Sequence, residues 1–339
     1  MDNLWLWQSH PIAILIGVMV LWAIAILAFP RPAAAGVKRY LDGNAADVKI
    51  PKTEIVHILG GGGPDVDPAF QWAIDRVRGG KYCDRTVDVV IIRDSGEDGY
   101  NEPIFDMAGV DSVETLLVTR PEDANHPDVV ESVRNAEMIF FAGGDQCRYL
   151  RNYLDTDLYD AIKSALDRGA AIGGTSAGAM IQSRFVFTAC GQSIDSESAL
   201  DDPYRDIELD DRVFDWRYLE NTIVDTHFAD RDRMGRLMTF VARARQDGLA
   251  AKVLGIGIDE GTSLTIDETG LAEVMGQGSV YFVSGSHSPE VCEPGTPLTF
   301  SDFQLWKRRD GETFDLKNRP DEGDYSISVN DGRLSDDPY

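Results

Sequence analysis

Short apolar runs alternate with amphipathic stretches through the first half of the chain, and this alternation limits the fold more than any other feature. Residues 54–59, 87–92, 113–118 and 138–141 are rich in β-branched and large apolar side chains and are bounded by Gly, Asp or Pro, as buried strands are. Between them, Asp67-Pro68 reads as a helix N-cap with proline at the first helical position, followed by Phe70, Ile74 and Val77 at helical spacing. Leu158, Ile162, Ala165 and Leu166 mark a further helix that stops at Gly169. A βαβα order of this kind predicts an α/β fold: a mostly parallel sheet with helices on both faces. Ligands of such sheets lie beyond the carboxyl ends of the strands.

The first forty residues are of another character. Residues 12–29 form an unbroken apolar run of 18 residues, enough at about 1.5 Å per residue to cross a hydrocarbon core of about 30 Å. Trp5 and Trp7 precede it, and Arg31, Lys38 and Arg39 follow it. We therefore expect a single N-terminal transmembrane helix, with the rest of the chain on the cytoplasmic side by the positive-inside rule. A cleaved signal segment is the competing reading, with a periplasmic or secreted product; Ala33-Ala34-Ala35 favours it and the absence of a basic start opposes it. The expected organisation is an anchor or signal segment over 1–36, a linker over 37–52, a single catalytic-type domain over 53–308, and an acidic extension over 309–339. That extension reads as a loose tail or a closing hairpin. Residues 195–215 carry nine acids and two bases and read as a solvated insertion.

The chain has 32 Lys+Arg against 57 Asp+Glu, a formal charge of −25. Nucleic-acid binding depends on basic neutralisation of phosphates, so this balance argues against it. Four widely spaced cysteines, Cys83, Cys147, Cys190 and Cys292, make no C-x-x-C pair and no zinc spacing, and are expected to be buried free thiols. No metal motif occurs among the five histidines, and no cofactor is expected.

A buried run, Ala170-Ala171-Ile172, leads into Gly173-Gly174-Thr175-Ser176-Ala177-Gly178. In a G-x-S-x-G arrangement a sharp strand-to-helix turn exposes the serine hydroxyl, and small flanking residues relieve the crowding at that corner. The amide of Ala177, at a helix start, is placed to stabilise an oxyanion. Paired glycines in Gly143-Gly144-Asp145-Gln146 let backbone approach a ligand closely and offer a second amide. A serine nucleophile needs a base, and His227 is the best placed: alternation in Ile223-Val224-Asp225-Thr226-His227 puts Ile223, Asp225 and His227 on one face. Arg231, Arg233 and Arg236 then open a helix, where the macrodipole prefers anions, so they suggest a carboxylate-holding site or a local ion-pair cluster with Asp230 and Asp232. For the acid that orients the imidazole, Asp225, Asp259 and Glu260 all stay open. The Gly60-Gly61-Gly62-Gly63 loop lacks the dinucleotide and P-loop patterns, so a nucleotide reading is disfavoured.

Together these stretches, with Gly255-Ile256-Gly257-Ile258-Asp259-Glu260, resemble the cyanophycinase branch of the dipeptidase E-like serine peptidases over roughly residues 53–300. The resemblance implies a class I glutamine amidotransferase-like (flavodoxin-like) sandwich and a Ser-His-Glu triad of Ser176, His227 and Glu260. It implies Gly144 and Ala177 as oxyanion-hole residues, and Gln146, Asp225, Arg231, Arg233 and Arg236 as substrate-binding residues. One position departs: cyanophycinases usually have Gln before the catalytic His, and this chain has Thr226. The implied activity is hydrolysis of aspartyl peptides of the β-Asp-Arg type, with cyanophycin or an aspartate-rich peptide as substrate. The implied assembly is a homodimer; the apolar span over 12–29 separately suggests a partner in a membrane complex. Two alternatives accompany it: a dipeptidase or isopeptidase acting on short aspartyl peptides, and a non-catalytic accessory subunit that keeps the peptidase fold.

Overall fold

The structure, a computed structural model, describes residues 36–339. In chain order its strands are β1 (Lys38–Gly43), β2 (His57–Gly60), β3 (Val87–Arg93), β4 (Val110–Leu117), β5 (Met138–Phe141) and β6 (Ala171–Thr175). A small ribbon of β7 (Val186–Phe187) and β8 (Leu209–Asp210) precedes β9 (Thr222–Thr226), β10 (Leu254–Ile258), β11 (Thr262–Ile266), β12 (Leu271–Gly276) and β13 (Ser279–Ser284). Then come β14 (Phe300–Arg309), β15 (Thr313–Asp315), β16 (Tyr325–Asn330) and β17 (Arg333–Leu334).

Two large sheets result. The first runs β1-β4-β3-β5-β6-β2-β11-β12-β15. Its centre, β4-β3-β5-β6-β2, is parallel throughout, and these are the strands that the apolar runs predict. The second runs β17-β16-β14-β13-β10-β9; only β9 and β10 pair in parallel. The fold is thus α/β with mixed sheets, which corrects the mostly parallel expectation. The reason is connection length. Parallel neighbours need a crossover, whereas strands joined by a few residues pair antiparallel. From β11 onward no crossover helix separates the described strands, and the β11–β12 join is a tight turn: Asp267 accepts from the amides of Thr269 and Leu271, and Gly270 is left-handed.

No helix among the described residues is long and apolar enough to cross a membrane. This corrects the expectation of a transmembrane helix and the membrane location drawn from it; the apolar run 12–29 itself lies outside the described residues.

Three further readings change. Residues 195–215 are not a purely solvated insertion: they form the helix Ser196–Asp201 and β8, and they bury Ala199, Leu200, Ile207, Val213 and Phe214. The close approach is made at Gly235, where an added Cβ would lie 2.7 Å from Leu200 and 2.8 Å from Ser196. Cys147 and Cys190 are joined in a disulfide across 43 residues, leaving Cys83 and Cys292 free among the described cysteines; sequence spacing carried no sign of that pairing. The segment after Arg309 closes onto both sheets, β15 pairing with β12 and β16 with β14.

Candidate active site

The parallel pairs bring the polar motifs to one end of the sheets. At the end of β6, Thr175 is level with Gly60 of β2, and Gly174 with Phe141 of β5. At the end of β9, Thr226 is level with Ile258 of β10. Ser176, Gly143-Gly144, His227 and Glu260 therefore all leave strand ends on the same side.

Ser176 follows β6 directly and has φ 54°, ψ −125°, outside the usual regions for an L-residue. The turn is held because its carbonyl accepts from the amides of Ala179 and Met180, each at 3.0 Å. It also needs the flanking glycines. A Cβ on Gly178 would lie 2.2 Å from the Phe141 carbonyl oxygen, and one on Gly174 would lie 2.3 Å from that of Gly178.

Ser176 Oγ lies 2.8 Å from His227 Nε2, and His227 Nδ1 lies 2.5 Å from Glu260 Oε1. Of the three acids left open, Glu260 is the one that reaches the imidazole. Asp259 turns the other way and accepts from the amides of Ala229 and Ser279, each at 2.9 Å. Asp225 is fully buried in a two-pronged pair with Arg236: Nε donates to Oδ2 at 2.7 Å, Nη2 to Oδ1 at 2.5 Å.

The Gly60–Gly63 loop, unassigned by the sequence, aligns these groups. Ser176 N donates to the Gly60 carbonyl at 3.0 Å, and His227 N donates to the Gly61 carbonyl at 2.7 Å. Consecutive carbonyls of one loop thus fix the backbones of both residues, although β6 and β9 belong to different sheets. The imidazole lies over the loop so closely that a Cβ on Gly62 would come 2.2 Å from His227 Cε1.

The second glycine pair sits beside the serine, with a Cβ on Gly143 lying 3.5 Å from Ser176 Cβ. Asp94, at 3 % exposure, is a residue that sequence reasoning missed: it accepts from Asp145 N at 3.3 Å and abuts Gly144, where a Cβ would meet Oδ1 at 2.2 Å. Ala177 is buried at the first position of the four-residue helix after Ser176. Gln146 begins the helix that follows β5, Gln146–Tyr153, and donates to the Phe187 carbonyl at 3.3 Å.

The three arginines occupy different settings. Arg231 is exposed, with Nη2 3.7 Å from Glu260 Oε1. Arg233 is half-buried, donates to the Thr226 carbonyl at 2.7 Å and lies 3.5 Å from Asp225 Oδ1. Arg236 is 2 % exposed and also donates to the Ile194 carbonyl at 3.0 Å and to Ser193 Oγ. Thr226 is buried, and its hydroxyl has no partner. Among the described residues, no group of His, Cys, Asp and Glu is arranged to hold a metal ion.

Burial lowers the His227 pKa below its ordinary value of 6.5; the Glu260 hydrogen bond opposes the shift, and Arg231 and Arg233 add to it. The imidazole is then neutral, as a proton acceptor must be, at pH values below the usual histidine range. We expect the acid limb of kcat/KM to fall below pH 6.5, and Arg231→Gln to move it upward. An acid limb at or above pH 7 in the wild-type protein would contradict this assignment.

The model of peptidase family S51 matches residues 102–274, about half of the chain. The chain belongs to peptidase family S51. It is 31% identical over 221 residues to the cyanophycinase of a Nostoc species, covering 64% of this chain and 69% of that protein. It is 32% identical over 221 residues to the cyanophycinase of Geminocystis herdmanii, covering 63% and 75%. Among solved structures, a peptidase from an acI-B1 Actinobacterium superposes with a TM-score of 0.53 at 21% identity, covering 78% of this chain and 98% of that one, a likeness of fold. This S51 chain is a serine-type peptidase similar to cyanophycinases.

Proposed function

We propose that the chain hydrolyses aspartyl peptides of the β-Asp-Arg type through a Ser176-His227-Glu260 triad. The observation that carries this reading is the unbroken contact from Ser176 Oγ through the imidazole to the Glu260 carboxylate. In this reaction Ser176 Oγ bonds to the peptide carbonyl carbon while His227 Nε2 takes the hydroxyl proton. Glu260 holds the proton on Nδ1 and so fixes the tautomer. The amides of Gly144 and Ala177 stabilise the oxyanion. His227 returns its proton to the leaving amine as the carbon–nitrogen bond breaks, and a water, deprotonated by the same imidazole, releases the acyl group.

Arg231 and Arg233, with Gln146, would hold a substrate carboxylate, because the two arginines border the imidazole and have exposed surface. Asp225 and Arg236 support them from beneath, the buried carboxylate lying between the Arg233 and Arg236 guanidinium groups and fixing Arg233. A substrate with an acidic acyl portion suits this cationic corner of an otherwise acidic protein. The named relatives are cyanophycinases, and cyanophycin is accordingly the first polymer to try; short β-aspartyl peptides are the second.

Incubating the protein separately with cyanophycin and with β-aspartyl dipeptides, followed by product analysis, tests the reading. Release of β-aspartyl-arginine from the polymer is expected. Cleavage of the dipeptides alone would favour the short-peptide form, and turnover of neither, by protein that binds a serine-directed probe, would overturn the aspartyl assignment.

A further inference from the structure

The helix Met234–Gln246, which begins immediately after Arg233, lacks a cap of its own. Its N-cap residue is Arg233, which makes no side-chain cap bond, and its first turn holds no acid. The first amides of a helix have no partner within it and must find one elsewhere. Here two residues distant in sequence supply them. Met234 N donates to Tyr339 Oη at 2.9 Å, and Arg236 N donates to Ser196 Oγ at 3.2 Å.

Tyr339 does more than cap. Its hydroxyl donates in turn to Asp232 Oδ1 at 3.1 Å, and Asp232 is the left-handed residue, φ 47°, that stands between Arg231 and Arg233. One phenol oxygen thus ties the turn bearing the two arginines to the helix that follows it. The ring is itself fixed, packed edge-on against Phe228 at 6.2 Å and against Tyr281 at 5.6 Å between centroids. Its approach is fixed too, since Tyr325 Oη donates to the Pro338 carbonyl at 2.9 Å. Phe228 adjoins His227, so the same ring packs on the segment that carries the base.

We propose that Tyr339 is a positioning residue for substrate recognition: its hydroxyl sets the Arg231–Arg233 turn in the geometry that holds a substrate carboxylate. The inference rests on the reading of those arginines given above. It makes Tyr339 a determinant of preference for acidic substrates while leaving the Ser176–His227 chemistry untouched.

The test compares two serine-directed fluorophosphonates, one neutral and one bearing a carboxylate, on the full chain and on its Tyr339→Phe and Tyr339→Ala variants. Tyr339→Phe keeps the ring and removes only the hydroxyl. The ratio of labelling rates, carboxylate probe over neutral probe, is expected to fall about fivefold in Tyr339→Phe, the scale of one lost hydrogen bond, and at least as far in Tyr339→Ala. The neutral rate should stay within about twofold in Tyr339→Phe, and KM for a β-aspartyl dipeptide should rise with kcat little changed. An unchanged ratio in both variants, or equal loss with both probes, overturns the inference while the wild-type protein still labels normally. Failure of the wild-type protein to label with either probe overturns the serine mechanism, and this inference with it.

Discussion

Ser176→Ala is expected to reduce peptide hydrolysis by about 10⁴- to 10⁶-fold, the scale on which loss of a triad serine acts. The fold should survive, because the side chain's hydrogen bond is to His227, while the amide and carbonyl that shape the turn belong to the backbone. Glu260→Gln should cost about 10³- to 10⁴-fold, since an amide at that position no longer holds the proton on Nδ1. Rates measured on one substrate, with circular dichroism and thermal unfolding of each variant, check both. Near-normal hydrolysis by Ser176→Ala would remove the serine from the reaction.

The second large effect is on stability. Asp225 and Arg236 are 0 % and 2 % exposed and pair through two hydrogen bonds. Asp225→Ala leaves a buried guanidinium without its carboxylate, which costs about 3–5 kcal/mol and should lower Tm by on the order of 10 °C. Replacing both partners by apolar residues, Asp225→Leu with Arg236→Met, should recover most of that loss, because the desolvation cost of the charges disappears with them. The double variant should remain poor against acidic substrates, since Arg233 has lost the carboxylate 3.5 Å away. A wild-type Tm in Asp225→Ala would show that the pair contributes little.

Much of this site is legible in the sequence, for a physical reason. A nucleophile turn needs small residues at fixed offsets, so Gly174, Ser176 and Gly178 announce themselves, and a buried strand ending in a polar motif places His227 at a sheet end. The choice among Asp225, Asp259 and Glu260 is different. It depends on which face of a neighbouring strand end turns toward the imidazole, and no periodicity within five residues decides that; only the resemblance pointed to Glu260. The arginines show the same limit. Their spacing marks a charged helix start, but it does not separate Arg236, spent on a buried carboxylate, from the exposed Arg231.

Other features arise from contacts remote in sequence. The Gly60–Gly63 loop matches no nucleotide pattern, and its close approach is to His227 and Asp259, which follow strands of the other sheet. The Cys147–Cys190 disulfide and the Tyr339 cap join residues 43 and 105 positions apart, and neither leaves a local pattern. In the fold, the first half was readable because crossover helices separate its strands. The second half misled because after β10 no crossover helix separates its strands, and a reversal of direction does not alter the apolar pattern.

The central claim is that Ser176 is a nucleophile activated by His227. Mapping of the residue modified by a neutral fluorophosphonate tests it most directly, with the wild-type protein and His227→Ala compared by mass spectrometry of their peptides. The account predicts a single adduct on Ser176 in the wild-type protein and its near-complete loss in His227→Ala. An adduct on another residue, or equal labelling of Ser176 without the histidine, would contradict it.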